Sequence, residues 1–259
     1  MYNKKLYYVV LAILLVAIIL FLLFPIKQPR PDKQAYTPHI AAFTSGMISN
    51  QSTIRVILNG EADRARPGEK LDASPFKFKP SIRGQAFWVD TYTLEFRPEA
   101  GLPPGQKYKA ELRLDKIMKV PRKLKTFTFS FQTLEQSYEV INKGLEAYDP
   151  RDLTYQQLLG ELNTSDYANA RRVEEMLQAR QEGAVLSVTW QHSADGTSHQ
   201  FRVDSVLRQQ NPARVELRWD GSSIGAERDS KQQIRIPSLS EFEILHTDVA
   251  HYPEQSISV

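Results

Sequence analysis

An uncharged apolar segment near the N-terminus constrains this chain more than any other feature. Residues 6–24 read LYYVVLAILLVAIILFLLF, which is 19 consecutive residues without a charged side chain. A helix of about 20 apolar residues crosses the hydrocarbon core of a bilayer, since each residue adds about 1.5 Å of rise. Lys4 and Lys5 precede the segment and Pro25 follows it. We therefore predict a transmembrane signal anchor over residues 1–26, with residues 6–24 in the lipid bilayer.

A cleavable signal peptide is the competing interpretation, because it also places basic residues before an apolar run. The run here exceeds the usual length of about 7–15 residues, and no small-residue cleavage site follows it. Lys27, Arg30 and Lys33 oppose an N-inside orientation, but a long soluble tail after a first apolar segment is readily exported. We expect a single-pass protein of the cell inner membrane with the bulk of the chain in the periplasm.

A proline-rich spacer separates this segment from the rest of the chain. Residues 25–38 contain four prolines, which exclude a regular helix and favour an extended, polyproline-like conformation. We predict a tether over residues 27–38. At about 3.1 Å per residue, the spacer would hold the next domain up to about 40 Å from the bilayer.

Charge and cysteine content exclude several functions. Residues 1–33 hold five Lys and Arg against one acidic residue, whereas the remaining 226 residues carry 28 basic and 29 acidic groups. This balance implies no polyanion-binding face, so we expect no nucleic acid partner. The chain contains no cysteine, which excludes disulfides, a cysteine nucleophile and a thiolate metal site within these residues.

Residues 39–133 show the alternation typical of strands with one buried face. The clearest segment is 126–131, where Phe127, Phe129 and Phe131 share one face and hydroxyl side chains share the other. Similar alternation occurs at 54–58, 76–79, 93–97 and 108–114. Several such strands predict a β-sandwich. Core packing explains the Phe triplet, with an exposed ligand platform as the alternative.

Residues 134–249 mix two periods and predict a second β-domain with one inserted helix. Strands are expected at 138–145, 153–162, 185–190, 201–206, 214–219, 233–236 and 241–245. Asp166 is predicted to cap a helix near 167–181, with Gly183 as its stop. Residues 250–259 repeat the pattern of 48–56 and are expected to begin a further, truncated β-domain. The expected fold is therefore mainly β: an N-terminal transmembrane helix followed by two β-sandwich domains.

A few residues could carry chemistry. His192 and His199 flank a turn with Asp195 and could hold a metal, or could be exposed loop histidines. Asp149 and Asp152 could be paired carboxylates, although turn formation explains both.

The other candidates have equally simple explanations. Ser45 and Ser222 lack the strand–turn–helix context of a hydrolase nucleophile, and residues 221–225 lack the spacing of a phosphate-binding loop. The basic run at 116–125, KIMKVPRKLK, could meet acidic lipid or glycan, or be a solvated hairpin loop. We therefore predict no catalytic, cofactor-binding or metal-binding residue, no cofactor, no small-molecule substrate and no enzymatic activity.

Several motifs carry a resemblance to a known family. They lie in residues 88–98 (WVDTYTLEFRP), 102–108 (LPPGQKY), 44–49 (TSGMIS), 54–56 (IRV), 144–150 (GLEAYDP), 190 with 195–196, 219–221 (WDG) and 224–225 (IG). In this order they resemble the N-terminal Ig-like or macroglobulin-like domains of bacterial alpha-2-macroglobulins of the Bacteroidetes type. The likeness covers about residues 36–259.

The resemblance implies a membrane-tethered, periplasmic, broad-range peptidase inhibitor. In that family a protease cuts a bait segment, the molecule rearranges around it, and a thioester links to the captive. This chain has no cysteine and therefore no thioester, and no bait segment is identifiable. The chain resembles only the N-terminal portion of these inhibitors, so proteases would bind to a region downstream of it. The alternatives are a cell-surface adhesion or glycan-binding module and, third, a hydrolase.

Overall fold

The structure is a computed structural model that describes residues 32–62 and 65–241. The predicted anchor, residues 27–31 of the tether, the expected strand at 241–245 beyond its first residue and the segment 250–259 lie outside the described residues. Within the described ranges, the helices are all too short or too polar to cross a membrane.

The first domain consists of two packed four-stranded sheets. Hydrogen bonding orders one sheet β1-β3-β6-β5 and the other β2-β8-β7-β4, and of these pairs β2–β8 alone is parallel. The strands are β1 Ile40–Phe43, β2 Gly46–Ile48, β3 Ile54–Leu58, β4 Phe76–Lys79, β5 Gly84–Trp88, β6 Thr93–Pro98, β7 Lys107–Arg113 and β8 Thr126–Thr133.

The core of the first domain is built around phenylalanine rings. Phe127, Phe129 and Phe131 alternate along β8 and are each at most 3% exposed. Phe78 on β4 lies 4.7 Å from Phe96 on β6, measured between ring centroids, so the two sheets meet through these rings. The prediction that the Phe triplet belongs to a β-sandwich core is confirmed.

The second domain repeats the two-sheet arrangement. Its sheets are ordered β13-β14-β10-β9 and β12-β11-β15-β16. Phe201 and Trp219, from opposite sheets, pack edge to face with their ring centroids 5.2 Å apart. The elements are β9 Tyr138–Asp149, β10 Asp152–Thr164, α1 Ala170–Glu174, β11 Leu177–Gln181, β12 Ala184–Leu186, β13 Val188–His192, β14 Ser198–Leu207, β15 Ala213–Asp220 and β16 Asp229–Ile236.

The expected helix near 167–181 is corrected by the structure. The helix covers only Ala170–Glu174, and its N-cap is Asn169, whose side chain accepts a hydrogen bond from Arg171 N. Leu177–Gln181 is instead a strand with alternating burial that pairs with β15. The apolar positions in this stretch fit both a helical and a two-residue period. Ladder hydrogen bonds to β15 decide between them.

The predicted strand at 185–190 is divided between the two sheets. Ala184–Leu186 pairs with β11, whereas Val188–His192 pairs with β14 in the opposite sheet. The chain therefore crosses the sandwich at Ser187. Alternation continues through the crossing, which is why the sequence alone indicates one strand.

Candidate functional site: the junction between the two β-sandwiches

A buried carboxylate joins the two domains. Asp166, in the second domain, is 6% exposed. Ser49 Oγ donates a hydrogen bond to Asp166 Oδ1 and Asn50 N donates one to Oδ2, each with a donor–acceptor distance of 2.6 Å. Tyr167 N also donates to Oδ1, at 2.8 Å. Hydrogen bonds to an ionised carboxylate are about twice as strong as neutral ones, so this group is a strong link between the domains.

The prediction that Asp166 caps a helix is wrong, because the N-cap is Asn169. Its carboxylate turns toward the first domain because Ser49 and Asn50 supply donors from the turn after β2. The amide of Asn50 strengthens the same contact, since its Nδ2 donates to the carbonyl of Tyr167 over 2.8 Å. These partners lie 116 and 117 residues from Asp166 in the sequence, so local pattern gives no sign of them.

The connection between the domains is hydrogen-bonded on both sides. Leu134 N donates to Ile48 O in the first domain over 2.9 Å. Gln136 Nε2 donates to Asp166 O over 3.1 Å, and Ser165 Oγ donates to Glu135 O over 2.8 Å. Residues 134–137 are therefore held against both domains, which limits the bending that a short linker would otherwise allow.

A second point of contact brings Pro104 against Gly225. Gly225 has a φ of +82° and ends the 3-10 turn Gly221–Ile224. A Cβ at this position would lie 3.2 Å from Pro104 Cγ, so the close approach and the left-handed backbone both favour glycine. The glycine-rich segment 221–225 thus forms part of the junction.

An open cleft of about 820 Å³ runs between these contacts. Its charged lining residues are Glu135, Glu227, Arg228 and Asp229. The lining is polar, and three of its four charged side chains are acidic. It shows no apolar floor of the kind that small-molecule sites usually have.

The two histidines singled out by the sequence do face each other across a hairpin. His192 Nδ1 and His199 Nδ1 are 2.8 Å apart, and His192 Nε2 lies 3.2 Å from Glu174 Oε1 on α1. His199 is fully buried, and its Nε2 has no hydrogen-bond partner among the described residues. Burial, and secondarily the charge of His192, lowers the pKa of His199. His199 is therefore a buried histidine whose environment disfavours the charged form, and His192 lies half-buried beside it.

Asp195, the carboxylate that could complete a metal site with the two histidines, makes other contacts. Asp195 binds Ser193 Oγ at 2.5 Å and Thr197 N at 3.2 Å, so it stabilises the turn. Glu174 reaches the far nitrogen of His192, and the two Nδ1 atoms contact each other, so the donors do not converge on one point. Across residues 32–62 and 65–241, three or more His, Asp or Glu side chains are nowhere grouped in a way that could hold a metal ion.

The remaining candidates occupy turns or the surface. Asp149 Oδ1 accepts a hydrogen bond from Arg151 N, and Asp152 Oδ1 accepts one from Thr154 N, both over 2.9 Å. Both carboxylates therefore stabilise the turn between β9 and β10. Ser222 lies in the 3-10 turn at the junction, and Ser45 is exposed between β1 and β2. These groups lie at separate places and do not form one site.

Comparisons with known proteins give neither a family nor a curated relative. No protein-family model matches the chain, and no curated protein matches it. Among solved structures, it is similar to L,D-transpeptidase 3 from Mycobacterium tuberculosis in complex with a faropenem-derived adduct. That match has 11% identity and a TM-score of 0.28, and it covers 67% of this chain and 77% of that one.

A second solved structure contains immunoglobulin domains. It is Dpr2 Ig1-Ig2 in complex with DIP-Theta Ig1-Ig3, with 8% identity and a TM-score of 0.22, covering 77% of this chain and 94% of that one. TM-scores this low carry no functional conclusion. The two β-sandwiches are established by the strand pairing and cores of the chain itself.

Proposed function

We propose that this chain is a non-catalytic, bilayer-anchored stalk of two Ig-like or macroglobulin-like domains. In this proposal it is the N-terminal portion of a bacterial alpha-2-macroglobulin-like, broad-range peptidase inhibitor in the periplasm. The observation that carries the proposal is the buried Asp166 carboxylate, which Ser49 and Asn50 of the other domain hold. A stalk has to transmit orientation from one domain to the next, and a buried polar link does this better than apolar contact alone.

The arrangement of ends supports a stalk. Tyr36 lies within the predicted tether, but it is buried and donates its hydroxyl to Thr126 O at the start of β8, so the tether ends before the turn Lys33–Tyr36. The junction lies at the other end of the same strand, where Leu134 follows Thr133. Eight residues of strand span about 25 Å, so the tether and the second domain attach to opposite ends of the first domain.

A distance measurement tests whether the junction orients the domains. The chain has no cysteine, so Val89→Cys and Val185→Cys would give one spin label on each domain. We expect a narrow distribution of label distances in the parent and a broad one in Asp166→Ala, because three donors lose their acceptor. Asp149→Ala, which removes a turn carboxylate, is the matched control. A narrow distribution that survives Asp166→Ala would contradict the role of the junction.

The inhibitor assignment needs the natural polypeptide encoded by the gene. We expect it to remain with membranes after alkaline extraction, and to reduce a protease's activity on a large protein substrate much more than on a small peptide. Enclosure of the protease would exclude the large substrate alone. Equal inhibition of both substrates, or none of either, would contradict the assignment.

A further inference from the structure

The net charge divides sharply between the two domains. Residues 39–133 carry 16 Lys and Arg against nine Asp and Glu, a net charge of +7. Residues 134–249 carry 12 against 19, a net charge of −7. The near-neutral average over both therefore conceals a basic first domain. Electrostatic potentials act locally, over about 8 Å at physiological ionic strength, so the domains present different surfaces to a charged partner.

The loop between β7 and β8 concentrates this positive charge. Residues 114–125 form two 3-10 turns, Leu114–Lys116 and Arg122–Leu124. Leu114 and Ile117 are buried, and three further apolar side chains of the loop pack on the core. Its basic side chains are all exposed: Lys116, Lys119, Arg122, Lys123 and Lys125. The loop is thus anchored by its apolar residues and presents its charges to solvent.

This basic loop lies at the end of the domain where the chain arrives from the apolar segment. Tyr36 donates its hydroxyl to Thr126 O over 2.7 Å, and its ring packs edge to face on Phe127 at 5.0 Å. Thr126 directly follows the last basic residue of the loop. The 3-10 turn Lys33–Tyr36 therefore fixes the arriving chain beside the loop.

The chain between the apolar segment and this turn is short. Residues 25–32 are eight residues, which reach about 25 Å at the rise of a polyproline helix and at most about 29 Å when fully extended. This limit is tighter than the 40 Å expected from the full spacer, because residues 33–36 belong to the domain. A bilayer crossed by residues 6–24 would then lie at the same end of the domain as the loop, near enough for the loop to reach it.

Acidic groups near this end are engaged in local contacts. Asp115 pairs with Arg113 at 3.0 Å, and Asp90 accepts hydrogen bonds from Tyr92 N and Thr93 N. Glu61 accepts one from the Tyr92 hydroxyl. Glu69 and Asp72 share an open cleft with the start of the loop, and Lys70 is in the same cleft. Asp90, Glu61, Glu69 and Asp72 keep their negative charges, but the loop itself carries five basic groups against Asp115 alone.

We propose that the loop at 114–125 docks on the anionic headgroups of the bilayer that anchors the chain, and so sets the orientation of the stalk. The proposal rests on the anchored stalk proposed above for the location of the bilayer. Lys and Arg near an anionic surface each contribute about 1 kcal/mol, which is about fivefold in the ratio of docked to undocked molecules. The acidic second domain lies at the far end, several screening lengths from that surface, so its charge adds little to the docking free energy.

Energy transfer to lipid-borne acceptors measures this docking in the full chain. A donor dye on Val89→Cys reports the basic end, and one on Val185→Cys reports the second domain. Vesicles would be phosphatidylcholine alone or with about one third phosphatidylglycerol. We expect transfer from Val89→Cys to rise in the anionic vesicles and to fall again in about 1 M salt, where screening acts over about 3 Å. Transfer from Val185→Cys should stay low in both.

Two charge variants in the Val89→Cys background assign the effect to the loop. Lys116→Gln/Lys119→Gln/Lys123→Gln/Lys125→Gln should reduce the docked-to-undocked ratio at least about tenfold in anionic vesicles. The matched control removes four charges from the outer face of β4 and β7 and should dock like the parent. It is Lys77→Gln/Lys79→Gln/Lys107→Gln/Lys109→Gln.

The outcomes separate this proposal from the stalk itself. Equal transfer in both kinds of vesicle, or an equal loss in the two charge variants, would overturn docking through the loop. Binding to soluble polyphosphate without any response to anionic vesicles would also overturn it in favour of a soluble polyanion. Extraction of the chain by alkali would overturn the anchor, whereas the dependence on lipid charge is measured independently of it.

Discussion

The two domains share an architecture but differ in how they treat buried polar groups. Each packs a pair of four-stranded sheets around one core. The first domain buries Glu95 and neutralises it with Arg55 and Arg97. The second buries His199 against the ring of His192 and leaves its Nε2 without a hydrogen-bond partner among the described residues. Alternating strands therefore specify the sandwich, while the buried polar residues and the way they are paired can differ between two domains of the same architecture.

The first prediction tests whether the phenylalanine cluster stabilises the first domain without affecting the stability of the second. Phe129→Ala should cost about 3–5 kcal/mol of that domain's free energy of unfolding, because it leaves a large cavity between the sheets. Hydrogen exchange resolved by domain would measure it, and the neighbouring Ser130→Ala, on the exposed face of β8, is the control. An equal loss of protection in the second domain would show that the cores unfold as one unit.

The second prediction concerns a glycine on which the second domain's aromatic core depends. A Cβ at Gly160 would lie 2.1 Å from Phe201 Cζ, so the ring packs directly on the backbone of β10. Gly160→Ala should destabilise the second domain by about 1–3 kcal/mol through overpacking. Gly60→Ala is the control, since a Cβ there meets nothing within 4 Å. Thermal unfolding would measure both, and equal small effects would be inconsistent with this packing.

The third prediction examines the buried carboxylate of the first domain. Burial raises the pKa of Glu95, but hydrogen bonds from Arg97, Arg55 and Thr53 outweigh it, so the net shift is downward from 4.5. The stabilisation is therefore present above the unfolded pKa and is lost as pH falls through the folded pKa. Glu95→Gln should cost about 1–2 kcal/mol of the free energy of unfolding at pH 7, because it removes the charge that pairs with Arg55 and Arg97. The cost is not larger because both arginine side chains are more than half exposed to solvent.

Urea unfolding at pH values between about 7 and 3 would measure that loss. The control is Glu111→Gln, on the outer face of the other sheet, whose carboxylate is more exposed. Parallel pH profiles for Glu95→Gln and the parent would contradict the contribution of Glu95.

The fourth prediction concerns the buried histidine of the second domain, His199. Burial lowers the pKa of His199, so the unfolded chain takes up a proton near pH 6.5 while the folded chain does not. Stability should therefore fall as pH decreases from about 6.5 toward the folded pKa, by at most about 1.4 kcal/mol per pH unit. A hydrogen bond to the backbone of Gly196 and the charge of Asp195 oppose the effect on His199, while Glu174 on α1 contacts His192.

His199→Gln should flatten this profile, whereas His39→Gln, at the start of the first domain, should leave it unchanged. Urea unfolding followed by the fluorescence of Trp190 and Trp219 would measure the dependence. A profile for His199→Gln that matches the parent would assign the acid sensitivity to other groups.

Strands with strict alternation were predictable from the sequence, whereas the site was not. The segment 126–131 and the hairpin of β9 with β10 lie where the two-residue period predicts them. Residues 177–181 were missed because their apolar spacing fits a helix equally well. The facing of His192 and His199 follows from their hairpin, but Glu174 arrives from α1. The opposite domain charges were visible in the sequence once each domain was counted separately.

The sequence by itself determined the strands with strict alternation, the faces that they bury and where each charge lies along the chain. These properties depend on side-chain period and on neighbouring residues, which any local segment contains. The tertiary structure alone decided that Asp166 binds Ser49 and Asn50, and that the basic loop lies beside the arriving chain at Tyr36. Such contacts join residues about a hundred positions apart, and only the packing of the sheets brings them together.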